Sequence, residues 1–217
     1  MNSNSSKQVV LSIVGVAILV VAIVGVSFAF FTYTRTGGGT NLIKTGTLVF
    51  KFEDGSSINL TNQFPMSDAN GLKLSGKNNV CNFTVSGTST SGAVTYTVYG
   101  VQGDASTDET KTVRFTDSQI KANISATLPT GYTFTSATGA STAKTIEALK
   151  DADKGGKIVF GTGTVTTAAL ANSSAQFTLK MWISDAVTIG AASSDTYTTE
   201  AYGKLYYSMK IVVDATA

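Results

Sequence analysis

Between residues 120 and 128 every second side chain is apolar and the side chains between them are polar. Ile120, Ala122, Ile124, Ala126 and Leu128 alternate with Lys121, Asn123, Ser125 and Thr127. Because successive side chains of a strand point to opposite faces, this pattern predicts a strand with one buried face and one wet face. The alternation recurs at 47–52, 81–85, 94–99, 157–161, 177–183 and 205–213, and a short strand is predicted at 58–60.

The composition agrees with a β protein. Charged residues make up 14 % of the chain, against roughly 25 % in ordinary soluble domains. About eight half-buried strands predict antiparallel sheets that bury their apolar faces against each other. We therefore predict an all-β fold, an antiparallel β-sandwich or jelly roll, preceded by an N-terminal hydrophobic helix. One short helix is predicted at 142–151, where Ala143, Ile146 and Leu149 have helical spacing.

The chain begins with a hydrophobic segment. Residues 9–31 carry no charge, and a segment of this length can cross a bilayer as a helix. Ser27 and Ala29 fit the small-x-small pattern of a signal peptidase site, so cleavage would leave Phe30 as the new terminus. The length also suits a retained transmembrane anchor, and both interpretations stay open.

Three regions follow from these patterns. Residues 1–29 form a signal peptide or transmembrane segment, although the apolar run extends to 31. Residues 30–44 form an extended segment that contains Gly37, Gly38 and Gly39, and three adjacent glycines are typical of a hinge or linker. Residues 45–217 form the predicted β-sandwich domain.

No motif for catalysis is recognisable. The chain has no histidine and one cysteine, which excludes a Ser-His-Asp triad, a Cys-His pair, an imidazole-ligated zinc and an intrachain disulfide. The glycine-rich stretches lack the flanking residues of a phosphate loop. We therefore predict no enzymatic activity, no cofactor and no metal. The net charge of +2 has no basic cluster, so we predict no nucleic-acid partner.

The single tryptophan falls on the outer face of a predicted strand. If Met181 and Ile183 face the core, Trp182 points away from it. An outward aromatic ring marks either an interface or a cross-strand pair that shields the sheet.

Short motifs near both ends resemble one known family. The segment Val-Gly-Val-Ser-Phe-Ala-Phe-Phe-Thr at 24–32 resembles the leader junction of the TasA/camelysin-like family of secreted Gram-positive bacterial fibre proteins. Ile-Lys-Thr-Gly-Thr-Leu at 43–48 resembles that family's first strand after the junction. The segments 177–183 and 210–213 are similar to its later strands.

The resemblance implies a jelly-roll subunit of extracellular matrix (biofilm) fibres, released by a dedicated signal peptidase. It implies that the mature N-terminus inserts as a donor strand into the next subunit. Carried to this chain, the donor lies within 30–34 and extends to Leu42 and Ile43. The implied assembly residues are Phe30, Phe31, Tyr33, Leu42 and Ile43. The three glycines at 37–39 are a departure from the family pattern. Camelysin's peptidase activity is not carried over, because the chain has no histidine.

The expected partners are other copies of the chain in a head-to-tail filament, the signal peptidase, and the membrane through residues 9–31 before cleavage. The expected location is extracellular or on the cell surface. One alternative is a membrane-anchored cell-surface or virion β-sandwich that binds a ligand and keeps its helix. Another is a pilin-like filament subunit.

Overall fold

The structure is a computed structural model. It describes Val16 and residues 33–36, 41–45, 48–53, 58–76, 78–90, 92–103, 109–139, 141–190 and 196–216, with the backbone alone at 33–36, 41–45 and 48–53. The predicted hydrophobic helix lies outside these residues except for Val16, which is helical. None of the helices within the described ranges has the length and apolar character needed to cross a membrane.

Two sheets, antiparallel except for one parallel pair of two residues, make up most of the described chain. The first has eight strands: β1 (Tyr33–Thr36), β4 (Ile58–Thr61), β6 (Val94–Gln102), β7 (Val113–Arg114), β9 (Tyr132–Ser136), β11 (Lys150–Asp151), β12 (Lys157–Val165) and β16 (Leu205–Thr216). The second has six: β2 (Asn41–Thr45), β3 (Leu48–Glu53), β5 (Val80–Ser89), β8 (Ile120–Thr127), β10 (Lys144–Thr145) and β13 (Ser174–Ile183). A two-stranded ribbon pairs β14 (Thr188–Ile189) with β15 (Thr196–Tyr197).

The strand order places the longest strands inside the sheets. The first sheet runs β1-β16-β6-β12-β11, with β4 and β7 also on β16 and β9 also on β12. The second runs β10-β8-β13-β5-β3-β2. Apart from the helical residue Val16, the helices in the described ranges are α1 (Asp68–Gly71), α2 (Thr199–Gly203) and two 3-10 turns, Glu147–Leu149 and Ala152–Lys154.

The core lies between the two sheets. Phe177 of β13 stacks on Phe83 of β5 at 4.9 Å between ring centroids, and it meets Tyr96 of β6 edge to face at 6.3 Å. Because β6 belongs to the first sheet and β13 to the second, these rings pack the sheets face to face. The sequence-predicted inner residues of β5, β6, β8, β13 and β16 are buried here, including Cys81 on β5, except that Ala126 is partly buried and Leu128 is exposed. The prediction of packed antiparallel sheets, as in a β-sandwich, is confirmed.

The predicted helix at 142–151 is wrong. Two-residue strands β10 and β11 flank a single 3-10 turn, and Lys144 pairs with Ala122 of β8. Ile146 and Leu149 are both buried in the core. A single 3-10 turn brings residues three apart to the same side, so this spacing did not require an α-helix.

Trp182 points away from the core, as predicted, but it is not exposed. Its ring is buried under α1. A Cβ atom at Gly71 would lie 2.2 Å from the Trp182 ring, so only glycine permits this close approach. The tryptophan is therefore not an exposed residue of the outer face. Residues of α1 cover it.

Candidate functional site

One edge of the long strand β16 pairs with two short strands instead of one long strand. Met209 pairs with Gln102 of β6 on one side and with Ile58 of β4 on the other. β4 therefore lies on the edge opposite β6, which we call the outer edge of β16. There β4 covers positions 206–209 and β1 covers 212–215, both antiparallel to β16.

β1 arrives at this edge from the N-terminal segment. Tyr33 pairs with Ala215 and Thr36 with Val212, and β16 is the only described strand with which β1 pairs. The sequence then passes through three glycines before Asn41 begins β2 at the far edge of the second sheet. β1 thus completes the first sheet but is joined to the rest of the chain through a linker of four residues.

The sequence-predicted assembly residues are divided between the two sheets. Tyr33 lies on β1, whereas Leu42 and Ile43 lie on β2 opposite Lys51 and Phe50 of β3. Phe30, Phe31, Ser27 and Ala29 lie outside the described residues, so the cleavage site stays a prediction. The segment 30–44 therefore supplies one strand to each sheet rather than one continuous extended strand.

Sequence reasoning did not identify the surface that receives β1. Val212, Val213 and Ala215 are buried along this part of β16. Lys157 of β12 forms an ion pair with Asp214 at 3.4 Å, while the other Asp214 carboxylate oxygen is buried without a hydrogen bond from any described residue. The available signal was the alternation at 205–213, which marks β16 as a long strand but not which strand lies beside it.

A pocket of about 320 Å³ lies near the opposite end of β16. Its lining includes Asn62, Phe64, Phe115, Tyr202, Gly203 and Leu205 and contains no charged side chain. We call it the aromatic pocket. Phe64 is 72 % exposed at this surface. The ring centroids of Phe115 and Tyr202 are 5.8 Å apart, edge to face.

Hydrogen bonds fix the walls of the aromatic pocket. The Tyr202 hydroxyl donates to the Gln63 carbonyl at 2.5 Å, and burial raises the pKa of Tyr202 to about 12. The buried Lys111 ammonium donates to Asn62 Oδ1 at 2.6 Å and also to the Gly203 carbonyl. These bonds tie α2 to the end of β4, so the cavity is held open by a fixed frame.

A charged network lies next to the start of β16. The Tyr207 hydroxyl donates to Asp117 at 2.8 Å, Lys150 lies 3.0 Å from the same carboxylate, and the Arg114 guanidinium stacks over the Tyr207 ring at 4.0 Å. Burial alone would raise the pKa of Asp117, but hydrogen bonds from Lys150 and Tyr207 outweigh it and hold the pKa below its ordinary value. Burial and this hydrogen bond raise the pKa of Tyr207.

This network connects the start of β16 to Asp117 and Lys150 and so stabilises the fold. Asp117 is bound by Lys150 and the Tyr207 hydroxyl and also lies 3.2 Å from Arg114, so its carboxylate is neither a free base nor a nucleophile. Among the residues that the structure describes, no three His, Cys, Asp or Glu side chains are grouped to hold a metal ion.

The chain matches no protein-family model, no curated protein and no solved structure. Its function is therefore argued from its own geometry.

Proposed function

We propose that this protein is an exported structural subunit of an extracellular fibre or surface layer, with no enzymatic activity. Its subunits join head to tail when each donates β1 to the outer edge of β16 in the next subunit. The leader sequence supports export, and the resemblance to TasA/camelysin-like proteins supports a jelly-roll fibre subunit. The observation that carries the proposal is the pairing of β1 with β16 at 212–215.

The energetics of β1 permit exchange between subunits. Ordering a backbone residue costs about 1–2 kcal/mol, whereas a hydrogen bond gains about 0.5–1.5 kcal/mol net. For a strand of four residues on one edge these contributions nearly cancel. β1 therefore leaves its own β16 at small cost and forms the same register on an identical strand of another subunit. Such exchange of an identical element is a low-cost route to assembly.

The linker length decides between a closed monomer and a donated strand. Thr36 and Asn41 are five residues apart, so their Cα atoms are at most about 18 Å apart. They lie in different sheets, and packed sheets are about 10 Å apart. Removing two residues reduces the reach to about 11 Å, which leaves almost no slack for β1 to fold back on its own body.

The test changes the linker in the chain 30–217, which retains both sheets and the core. Deleting Gly37 and Gly38 is expected to increase the assembled fraction, since a short hinge favours strand exchange. Inserting four glycines after Gly39 is expected to increase the monomer. The matched control, G37A together with G38A, keeps the linker length. Light scattering after gel filtration and electron microscopy measure the assembly.

Equal assembly by the shortened, lengthened and control chains would contradict strand donation. A chain 30–217 that stays monomeric at every concentration would contradict the structural role itself. The amino-terminal residue of protein recovered from its native source tests the export step. Phe30 at the terminus supports cleavage after Ala29, whereas an intact Met1 contradicts it.

A further inference from the structure

The aromatic pocket and the entry of β1 lie at opposite ends of β16. Leu205, the first residue of β16, lines the pocket, whereas Tyr33 pairs with Ala215 near the last residue of the strand. β1 is antiparallel to β16, so the chain enters β1 from the Thr216 end. A strand rises about 3.3 Å per residue, which separates positions 205 and 215 by roughly 33 Å.

We propose that the aromatic pocket of one subunit receives the side chains of Phe30 and Phe31 from the Thr216 end of another subunit. This contact rests on the proposed function, because it takes Phe30 as the mature terminus. It adds a second, separate connection between neighbouring subunits. The contact does not depend on whether β1 pairs with β16 of its own chain or of another subunit. In both cases Phe30 and Phe31 directly precede the β1 that lies on that β16.

A second copy is the only source of this segment that can reach. Residues 30–32 extend at most about 10 Å from Tyr33, and the pocket of the same body is roughly 33 Å away along β16. The Phe30 and Phe31 of a subunit therefore cannot fill the pocket on the body that carries its β1. This contact joins unlike ends of two copies, so each new subunit offers the same contact to the next one. When the rotation between neighbouring subunits does not close a ring, the result is an open filament.

The pocket and the segment match in chemistry. Two adjacent phenylalanines at a chain terminus would leave a large apolar surface in water. The pocket offers Phe64, Phe115 and Leu205 and no charged side chain. Its volume of about 320 Å³ is at the lower end for ligand sites, roughly 300–1,000 Å³, which suits one or two side chains. Aromatic rings also gain from edge-to-face contact with other rings.

Gly203 is a lining residue of the pocket at which a side chain can be added. A Cβ atom at Gly203 meets no atom within 4 Å, so G203W adds a ring at the pocket lining. Gly76 is equally open and does not line the pocket, which makes G76W the matched control. Neither change touches β1, the linker or the outer edge of β16.

The first experiment measures the critical concentration for assembly of the chain 30–217. G203W is expected to raise it at least about tenfold, because each 1.4 kcal/mol of lost contact is a factor of ten and buried aromatic anchors exceed that value. G76W is expected to match the wild type. A second pair compares F64S with L170S, since both side chains are about equally exposed, at 72 % and 71 %.

The second experiment mixes two incomplete subunits. F30S/F31S retains the pocket and G203W retains the phenylalanines, so each lacks one side of the contact. In the mixture, Phe30 and Phe31 of G203W are expected to bind the open pocket of F30S/F31S, so each pair of subunits forms the contact once. Separately, F31C mixed with G203C is expected to give a mixed F31C–G203C disulfide under mild oxidation, whereas F31C with G76C is expected to give no mixed disulfide. Cys81 is buried and stays silent in this assay.

The outcomes separate this contact from strand donation. If the linker variants change assembly while G203W behaves as G76W and no F31C–G203C link forms, the pocket contact is overturned and strand donation stands. If the F31C–G203C link forms while the linker variants assemble equally, the pocket contact stands and strand donation is overturned. Binding of detergent by the pocket without any F31C–G203C link would also overturn the contact.

Discussion

The two long strands β13 and β16 have very different neighbours. β13 is paired with β5 and β8, each of which follows it for most of its length. β16 has β6 along one edge, but its outer edge is filled by β4 and β1, two strands of four residues from distant parts of the chain. A continuously paired strand holds the core together, whereas a strand with an edge filled in pieces is suited to exchange.

The largest expected effect is at the centre of β13. F177A removes the ring that joins both sheets, and buried Phe-to-Ala changes cost about 3–5 kcal/mol. Urea unfolding of the chain 30–217 measures the loss. The neighbouring Q176A, at an exposed position, is the control and is expected to change stability by less than about 0.5 kcal/mol. A loss below about 1 kcal/mol for F177A would mean that β13 is not the structural centre.

The next effect is at the outer face of β13. G71V places atoms in the space of the Trp182 ring, and overpacking costs about 1–3 kcal/mol. Trp182 is the single tryptophan, so its fluorescence reports the change directly and is expected to shift toward the red as α1 moves away. G76V, in open space, is expected to leave both emission and stability unchanged. An unshifted emission in G71V would contradict the burial of Trp182 by α1.

A smaller effect is expected at the start of β16. D117N removes a charged acceptor from the partly buried network, and the expected loss at neutral pH is about 1 kcal/mol. Because the folded-state pKa of Asp117 is below its ordinary value of 3.8, its stabilising contribution is present above that pH. The contribution is lost as the pH falls from 3.8 through the folded-state pKa.

Unfolding curves at several pH values measure this effect. The difference between wild type and D117N is expected to be constant near neutral pH and to shrink under acid. A difference that grows as the pH falls would show that Asp117 stabilises the protein in its protonated form.

The smallest effect on stability is expected for β1. Deleting residues 30–36 should change the free energy of unfolding by under about 1 kcal/mol, because hydrogen bonding and ordering nearly cancel. The measurement is urea unfolding at a concentration where the chain 30–217 is monomeric. A loss as large as that of F177A would remove the contrast between the two strands and make β1 a fixed part of the body.

Much of the fold could be predicted because its strands carry a signal of their own. The alternation over Ile120, Ala122 and Ile124 marked β8 and its buried face. Leu128 breaks the pattern: it lies just past the end of β8 and is 38 % exposed. Strands of two residues, such as β7 and β11, show no period at all, since two positions cannot define an alternation.

The candidate site could be predicted only in part, for a physical reason. Tyr33 was named from sequence, but its partner Ala215 is 182 positions away, and local patterns carry no information on which distant edge a strand meets. The aromatic pocket was missed for the same reason. Asn62, Phe115 and Tyr202 come from three separate segments that only the tertiary fold brings together.

Because Cys81 is buried, the rate at which its thiol is labelled reports how often the core opens. Cys81 lies on β5 and is 1 % exposed, and its thiol is the only one in the sequence. A thiol reagent can therefore modify the folded body only as often as the sheets part around β5. If the proposed assembly forms, the labelling rate within it, compared with that of a lone subunit, measures how strongly assembly slows the local opening of each subunit.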